Sequence, residues 1–333
     1  MKADNANEGS RGRAVVVIGR NEGERLRLCL TSVSVRAALV VYVDSGSTDG
    51  SPAMAAAMGV VVVPLDMTIP FTAARARNEG FRRVLAAMPD VAYVQFVDGD
   101  CEVNGSWMDI AASFLDVHPD VAAVCGRRRE RYPERSVFNS LCDDEWDTPV
   151  GETKSCGGDV LMRAAPLIQA GGYRDDMIAG EEPELCVRMR KLGWKIWRLG
   201  AEMTLHDAAM TRWSQWWWRT VRTGHAFAEG VALHGAPPER HRVHAYRSAW
   251  TWGVVIPVVI ISLAALIGPV ALLALLMYPL QVLRIAAKSS GPWGHRVTRA
   301  LFLVLGKFPE AVGQVKFLWD RRSGAKARII EYK

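Results

Sequence analysis

Short apolar runs rich in valine alternate with helical stretches through the first third of the chain, and that alternation restricts it to an α/β sheet. Ala14 to Ile18, Leu39 to Val43 and Val60 to Val63 read as buried strands. Glu22 to Val33, Ala53 to Met58 and Thr72 to Met88 read as helices that follow them. Strand, helix, strand in this order implies right-handed βαβ crossovers and parallel pairing. The next run, Val91 to Glu102 (VAYVQFVDGDCE), drives straight into two carboxylates, Asp98 and Asp100, with one glycine between them. A buried strand ending this way presents carboxylate oxygens at the carboxyl edge of the sheet, where open α/β folds bind ligands. Asp-Gly-Asp there suits a hard divalent cation; an ordinary turn is the alternative.

Asn104 to Val117 reads as a helix and Val121 to Cys125 as a strand. Periodicity then fails between Arg127 and Ser155, where RRRERYPER and CDDEWD read as loop with solvated charge. Regular structure resumes with a strand at Gly157 to Met162, a helix from Ala164 and a GGY turn at Gly171 to Tyr173. Glu184 to Leu192 has Leu185, Met189 and Leu192 at helical spacing, with Pro183 suited to the first turn and Gly193 to the stop. Gly180, Glu181 and Glu182 therefore fall at a helix N-terminus. Trp194 to Leu199 reads as a short strand leading toward His206.

Thr211 to Glu229 reads as a tryptophan-rich amphipathic helix, with Trp213, Trp217, Thr220, Gly224 and Phe227 on one stripe. From Ala249 to Val282 no residue is charged. As one helix that stretch would be about 50 Å long, against a hydrocarbon core of about 30 Å. It is too long for one upright span and slightly short for two. Gly268 and Pro269 interrupt it, so a tight hairpin of two short spans or a re-entrant pair is expected. Arg240, Arg242 and Arg247 precede it and Arg284 and Lys288 follow, which puts both ends on the cytoplasmic side. The tail from Ala300 to Trp319, ending in RRSGAKAR, reads as an interfacial segment near anionic lipid.

Half of the 333 residues are apolar, which excludes a disordered chain, and the net charge of +6 points to anionic partners. The basic residues form no long tract, so nucleic acid is not expected among them. Six cysteines without C-x-x-C spacing read as reduced and scattered. The leader MKADNANEGSRGR has no apolar signal core.

In order along the chain, VVVIGRNEGERLRLCLTSV, VDSGSTDGS, ARARNEG, FVDGD, CGGDVLMRAAPLIQAGGYRDD and GEEPELCVRMRKLGW resemble a family 2 glycosyltransferase with the GT-A fold. The resemblance runs from about Ala14 to Glu229. It implies a nucleotide-sugar-binding, Rossmann-like, mostly parallel sheet, with the C-terminal region as a membrane-associated helical appendage. The domains expected are a polar leader (1–13), the GT-A catalytic domain (14–235), and a helical hairpin with a basic amphipathic tail (236–333).

The resemblance also implies roles. Asp98 lies toward the nucleotide and Asp100 toward a divalent metal, Mg²⁺ or Mn²⁺, with Asp98 and His206 as further metal-site candidates. Asp44 falls where the family recognises the nucleoside, although Ser45 stands where many members have a second Asp. Arg20 and Glu22 are weaker candidates for the same pocket. Asp49 is a candidate for capping the helix that follows it. Arg77 matches the arginine of the family's A-R-N motif and is expected to pair with the diphosphate. An acceptor hydroxyl needs a base, and the family's E-D pair corresponds to Glu181 and Glu182, with Glu182 in the base position. Charge complementing the helix dipole is the alternative for that pair. Gln215 and Arg219 correspond to part of the processive members' Q-x-x-R-W. QWWWRTVR lacks the Arg-Trp pair, which favours addition of one sugar.

The expected activity is an inverting, metal-dependent transfer from a nucleotide sugar, most simply a UDP-sugar, to a lipid-linked or surface polysaccharide acceptor. The expected place is the inner membrane, with the catalytic domain cytoplasmic. Transfer to polyprenyl phosphate, or a non-catalytic membrane scaffold that keeps the fold, are the alternatives.

Overall fold

The computed structural model describes residues 12–324 and 329–331. Nearly all of the polar leader and residues 325–328, the AKAR at the end of RRSGAKAR, lie outside the described residues. The chain divides into two compact units, Met1–Thr211 and Arg212–Lys333. The tryptophan-rich helix thus opens the second unit, where the sequence grouped it with the catalytic domain.

In the first unit β1 (Arg13–Gly19), β2 (Leu39–Asp44), β3 (Val61–Pro64) and β4 (Tyr93–Asp98) alternate with α1 (Glu24–Ser34), α2 (Ser51–Ala57) and α3 (Ala73–Ala87). Then come β5 (Cys101–Val103), α4 (Trp107–Val117), β6 (Val121–Glu130), α5 (Val137–Trp146), β7 (Gly151–Thr153) and β8 (Val160–Arg163). The unit closes with α6 (Ala164–Gln169), α7 (Glu181–Lys191) and β9 (Lys195–His206). The sheet order is β3-β2-β1-β4-β8-β6-β9-β5, with β7 paired to β9. β3, β2, β1 and β4 are parallel, as the alternation predicts, and β8 enters antiparallel beside β4. Val15, Val16 and Val17 are wholly buried in the central strand, because a strand covered on both faces excludes water from every side chain. Pairing sets the site: Gly19 lies opposite Asp44 on one side of β1, and Ile18 opposite Asp98 on the other.

The stretch expected as loop between Arg127 and Ser155 is largely ordered. β6 continues to Glu130, paired with β9 through Arg128 opposite Thr204 and Glu130 opposite His206. Its charges are absorbed in alternation: Arg127 pairs with Asp143 at 2.7 Å, Arg128 turns toward Asp98 and Asp159, and Arg129 pairs with Glu202 at 2.8 Å. A charge run is therefore compatible with a strand when each member has a carboxylate to meet. The helix after it is started by Ser136, whose hydroxyl accepts from the Asn139 amide at 3.0 Å. β9 likewise runs on to His206 instead of stopping at Leu199.

The second unit is helical: α8 (Trp213–His234), α9 (Val243–Ile267), α10 (Pro269–Lys288), α11 (Trp293–Leu305) and α12 (Lys307–Ser323). Gly268, at φ +91°, and Pro269 separate α9 from α10. Both helices are long and apolar enough to cross a membrane, with 25 and 20 residues. They reach that length by taking in Val243 to Ser248 and Leu283 to Lys288, flanks outside the uncharged stretch. Their apolar side chains stand outward, Leu266 at 79% and Leu273 at 63% exposure. The Tyr278 hydroxyl donates to the Trp252 carbonyl at 2.6 Å and joins the two helices.

α8 packs on α12 through glycines, which lets two helix backbones touch. A Cβ on Gly224 would stand 2.0 Å from the Glu310 carbonyl oxygen, and one on Gly313 would stand 1.9 Å from that of Val221. This crossing turns the buried stripe of α8 to Trp216, Val221, Gly224, His225 and Ala228. Trp213, on the aromatic stripe read from the sequence, is 48% exposed.

Candidate active site

The ends of β1, β2 and β4, the first turn of α7 and the end of β9 bring most of the expected residues to one edge of the sheet. Arg77 reaches out of α3 and is almost wholly buried. Its Nη1 lies 2.8 Å from Glu181 and 3.1 Å from Glu182, while Nη2 lies 2.9 Å from Asp98. One guanidinium thus gathers carboxylates from β4 and α7. Gly158, just ahead of β8, makes room for it: a Cβ there would stand 2.4 Å from Arg77 Nη2 and 3.1 Å from both Asp98 and Glu182.

These neighbours set the charges. Burial alone would raise the Asp98 carboxyl, but Arg77 and Arg128 together hold it below its usual range. Glu182 goes the other way: burial, then the adjacent Glu181, push it up to about 7 against the pull of Arg77. Two carboxylates on one arginine are thereby driven apart, the pattern that separates a permanent anion from a group able to exchange protons near neutrality.

Asp100 lies beyond the strand end, with its Oδ1 3.3 Å from His206 Nε2. The His206 ring is buried; its Nδ1 is 3.6 Å from Glu130 and forms no hydrogen bond among the described residues. Ligand atoms of Asp100, Cys101 and His206 lie within 4.8 Å of one another, and so do those of Asp98, Cys101 and Asp159. Asp100 and His206 offer a carboxylate oxygen and an imidazole nitrogen, a pairing that suits Mn²⁺ better than the oxygen-preferring Mg²⁺, whereas burial pushes the Cys101 thiol up and keeps it from acting as a donor to such an ion.

Asp44 is buried at the end of β2, and its oxygens are engaged. Oδ1 accepts from the Tyr42 hydroxyl at 2.8 Å, and Oδ2 from the Gly46 and Ser47 amides at 3.1 and 3.0 Å. Asp49 accepts from the Ser51 amide at 3.0 Å in the turn ahead of α2, but the N-cap of that helix is Gly50, so Asp49 is not its cap. Arg20 is exposed over the Phe71 ring at 5.1 Å, and Glu22 pairs with Arg25 at 2.6 Å. Gln215 and Arg219 belong to the second unit, on the opening turns of α8, where Gln215 Oε1 accepts from the Arg212 amide at 3.0 Å.

Sequence reasoning passed over several residues that the fold brings here. Asn21 ties the β1 turn to the β2 turn, accepting from the Thr48 amide at 2.7 Å. Asn78 holds the GGY turn by both ends of Tyr173, at 2.9 and 2.7 Å. Asp159 is wholly buried behind Asp98; it accepts from the Asp98 amide at 3.2 Å and from the Thr204 hydroxyl at 2.7 Å. Arg128 lies between Asp98 and Asp159, and its guanidinium sits 4.7 Å from the Trp146 ring centre. Strand alternation within RRRER is the signal that marks Arg128, once the strand is carried past Cys125.

A βαβ sheet whose central edge carries Asp-Gly-Asp, continued by an antiparallel strand and a second acidic helix start, is the GT-A class of fold. Residues 14–152 match the model of glycosyl transferase family 2. Among solved structures the chain is similar to a mannosyltransferase of Pyrobaculum calidifontis in complex with GDP-Man and Mn²⁺. That match has 20% identity over 93% of this chain and 87% of the other, with a TM-score of 0.58. It is also similar to glucosyl-3-phosphoglycerate synthase of Mycobacterium tuberculosis, at 19% identity over 71% of this chain and 85% of the other, with a TM-score of 0.50. At these identities the likeness is one of fold. Comparison with curated proteins gave no match.

Proposed function

We propose that the chain transfers one sugar from a nucleoside diphosphate sugar to an acceptor hydroxyl, with inversion, at the sheet edge built around Arg77. The observation that carries this reading is the position of Glu182, 3.1 Å from the guanidinium that also holds Asp98, with its carboxyl raised to about 7. Glu182 takes the proton from the acceptor hydroxyl, and a base near neutrality is suited to that step. Arg77 positions Glu182 and Glu181 against the donor side of the site. Direct attack by one hydroxyl on the anomeric carbon inverts its configuration.

A divalent cation, Mn²⁺ or Mg²⁺, fits at Asp100 Oδ1 and the His206 Nε2 that faces it at 3.3 Å, with Asp98 adjoining. When bound, it would supply neutralisation of the charge that develops on the departing diphosphate. The donor is a UDP-sugar in the simplest reading, and the P. calidifontis relative with its GDP-Man makes a guanosine donor the comparison to run.

The acceptor is a lipid-linked or surface polysaccharide at the inner membrane, with the catalytic unit in the cytoplasm. The two apolar helices support attachment to a membrane, and the basic residues around them support that orientation. Membranes carrying the chain, supplied with labelled UDP- and GDP-sugars, are expected to incorporate one sugar in a metal-dependent way. A chloroform-extractable product bearing a single sugar moves the acceptor to polyprenyl phosphate. No incorporation from any donor, with the chain folded, removes the proposal.

A further inference from the structure

The two arginines that flank Asp98 are held very differently. Arg77 is 2% exposed and its two Nη atoms are occupied by carboxylates at 2.8 to 3.1 Å. Arg128, on the other side, is 15% exposed, and its carboxylate contacts are long, 3.5 Å to Asp98 and 3.4 Å to Asp159, beside a hydrogen bond of 3.3 Å to the Cys101 sulfur. The Nε of each arginine forms no hydrogen bond among the described residues, so the difference in hydrogen bonding lies in their Nη contacts. Nor does Asp159 depend on Arg128 for its hydrogen bonds, because the Asp98 amide and the Thr204 hydroxyl already serve its two oxygens. Trp146 flanks the guanidinium at 4.7 Å and also meets the His206 ring edge-on at 4.7 Å. A planar cation braced on an aromatic ring, loosely paired and next to Asp98 and His206, has donors to offer an arriving anion. Guanidinium forks match phosphate oxygens in geometry as well as charge.

We propose that Arg128, and not Arg77, is the arginine that binds the phosphates of the donor. The proposal rests on the nucleoside diphosphate reading above and assigns Arg77 to positioning the base pair. On binding, Arg128 exchanges its long contacts with Asp98 and Asp159 for the diphosphate, and Trp146 keeps the guanidinium in place during the exchange.

The test is nucleotide binding to the purified full chain in detergent with Mn²⁺, comparing UDP with UMP and GDP with GMP by calorimetry. The wild type is expected to prefer the diphosphate of one base. In Arg128→Met that preference falls by about tenfold to a hundredfold, while monophosphate affinity stays within about twofold. Arg128→Lys recovers part of the preference, because charge returns without the fork. Arg77→Lys leaves the ratio at the wild-type value. A merely structural arginine would weaken monophosphate and diphosphate together. If Arg128→Met binds neither nucleotide, Arg128→Lys decides, and a wild-type ratio there overturns the proposal. A ratio lost in Arg77→Lys and kept in Arg128→Met overturns it as well. A wild type that binds no nucleotide sinks the functional reading instead, so the two failures are distinct.

Discussion

Arg77 and Glu181 meet at 2.8 Å inside the first unit, with side chains only 2% and 4% exposed. The pair joins the second turn of α3 to the first residue of α7, and the other Nη of Arg77 joins both to the end of β4. Removing one partner from such a cluster leaves buried like charges uncompensated, which costs more than the pair itself contributes. Arg77→Met is therefore expected to destabilise the first unit by about 3–5 kcal/mol. Urea unfolding of the chain measures this, and an unshifted midpoint would show that the cluster is not buried as described.

Glu182 predicts a pH dependence. A base must be deprotonated to act, so turnover is expected to fall by about tenfold per unit below pH 7 and to level off above it. Glu182→Gln removes that limb and lowers turnover by about a hundredfold to ten-thousandfold, with nucleotide affinity retained. The effect on stability has the opposite sign. Its carboxyl is raised in the folded chain, so the stabilisation belongs to the protonated form, present at low pH and lost as the pH climbs from about 4 through 7. Glu182→Gln should therefore melt above the wild type at pH 8, with the gap closing near pH 4. A variant less stable than wild type at pH 8, with unchanged turnover, would reduce Glu182 to a charge at a helix start.

For the cation, the expectation is separable from turnover. Asp100→Asn and His206→Ala should each weaken Mn²⁺ binding by tenfold or more, as roughly expected for loss of one ligand, and chelation should abolish transfer. Electron paramagnetic resonance of free Mn²⁺ reads the first effect directly. Wild-type binding in both variants would take these residues out of the cation site.

Much of this was legible in the sequence because β-branched runs and their carboxyl-terminal polar residues repeat with the period of a βαβ sheet. Asp98 and Asp100 could be placed that way, at and just past the end of a strand; Glu182 could be placed at a helix start, and its role as base is what the family resemblance implies. Arg128 could not, because three arginines in a row look like a solvated face until the partners Asp143, Asp159 and Glu202 are known. Those partners lie 16 to 73 residues away, and strand alternation marks Arg128 only once the strand is known to continue past Cys125. Asp44 shows the converse. Its place at the sheet edge was readable, but its capture by Tyr42, Gly46 and Ser47 depends on how the turn closes. In the second unit the break at Gly268 and Pro269 was plain, while the rotation of α8 was not, since it is set by a glycine on α12.

That crossing yields a prediction in which the same substitution changes sign with position. In an open helix, replacing Gly with Ala gains up to about 1 kcal/mol, because alanine loses less backbone freedom on folding. Gly294, on α11, has nothing within 4 Å of where a Cβ would stand, so Gly294→Ala is expected to be neutral or stabilising. At Gly313 the added carbon would fall 1.9 Å from the Val221 carbonyl oxygen and 2.7 Å from the His225 amide nitrogen. Neither is the end of a flexible side chain, so α8 and α12 must separate to admit it. Separation also loosens the Phe317 ring from His225, now 5.2 Å apart centre to centre. Gly313→Ala is expected to destabilise the second unit by about 1–3 kcal/mol, the usual cost of overfilling a packed contact. Thermal unfolding followed by tryptophan fluorescence compares the two variants, and a shift of the same sign in both would contradict a backbone contact at this crossing.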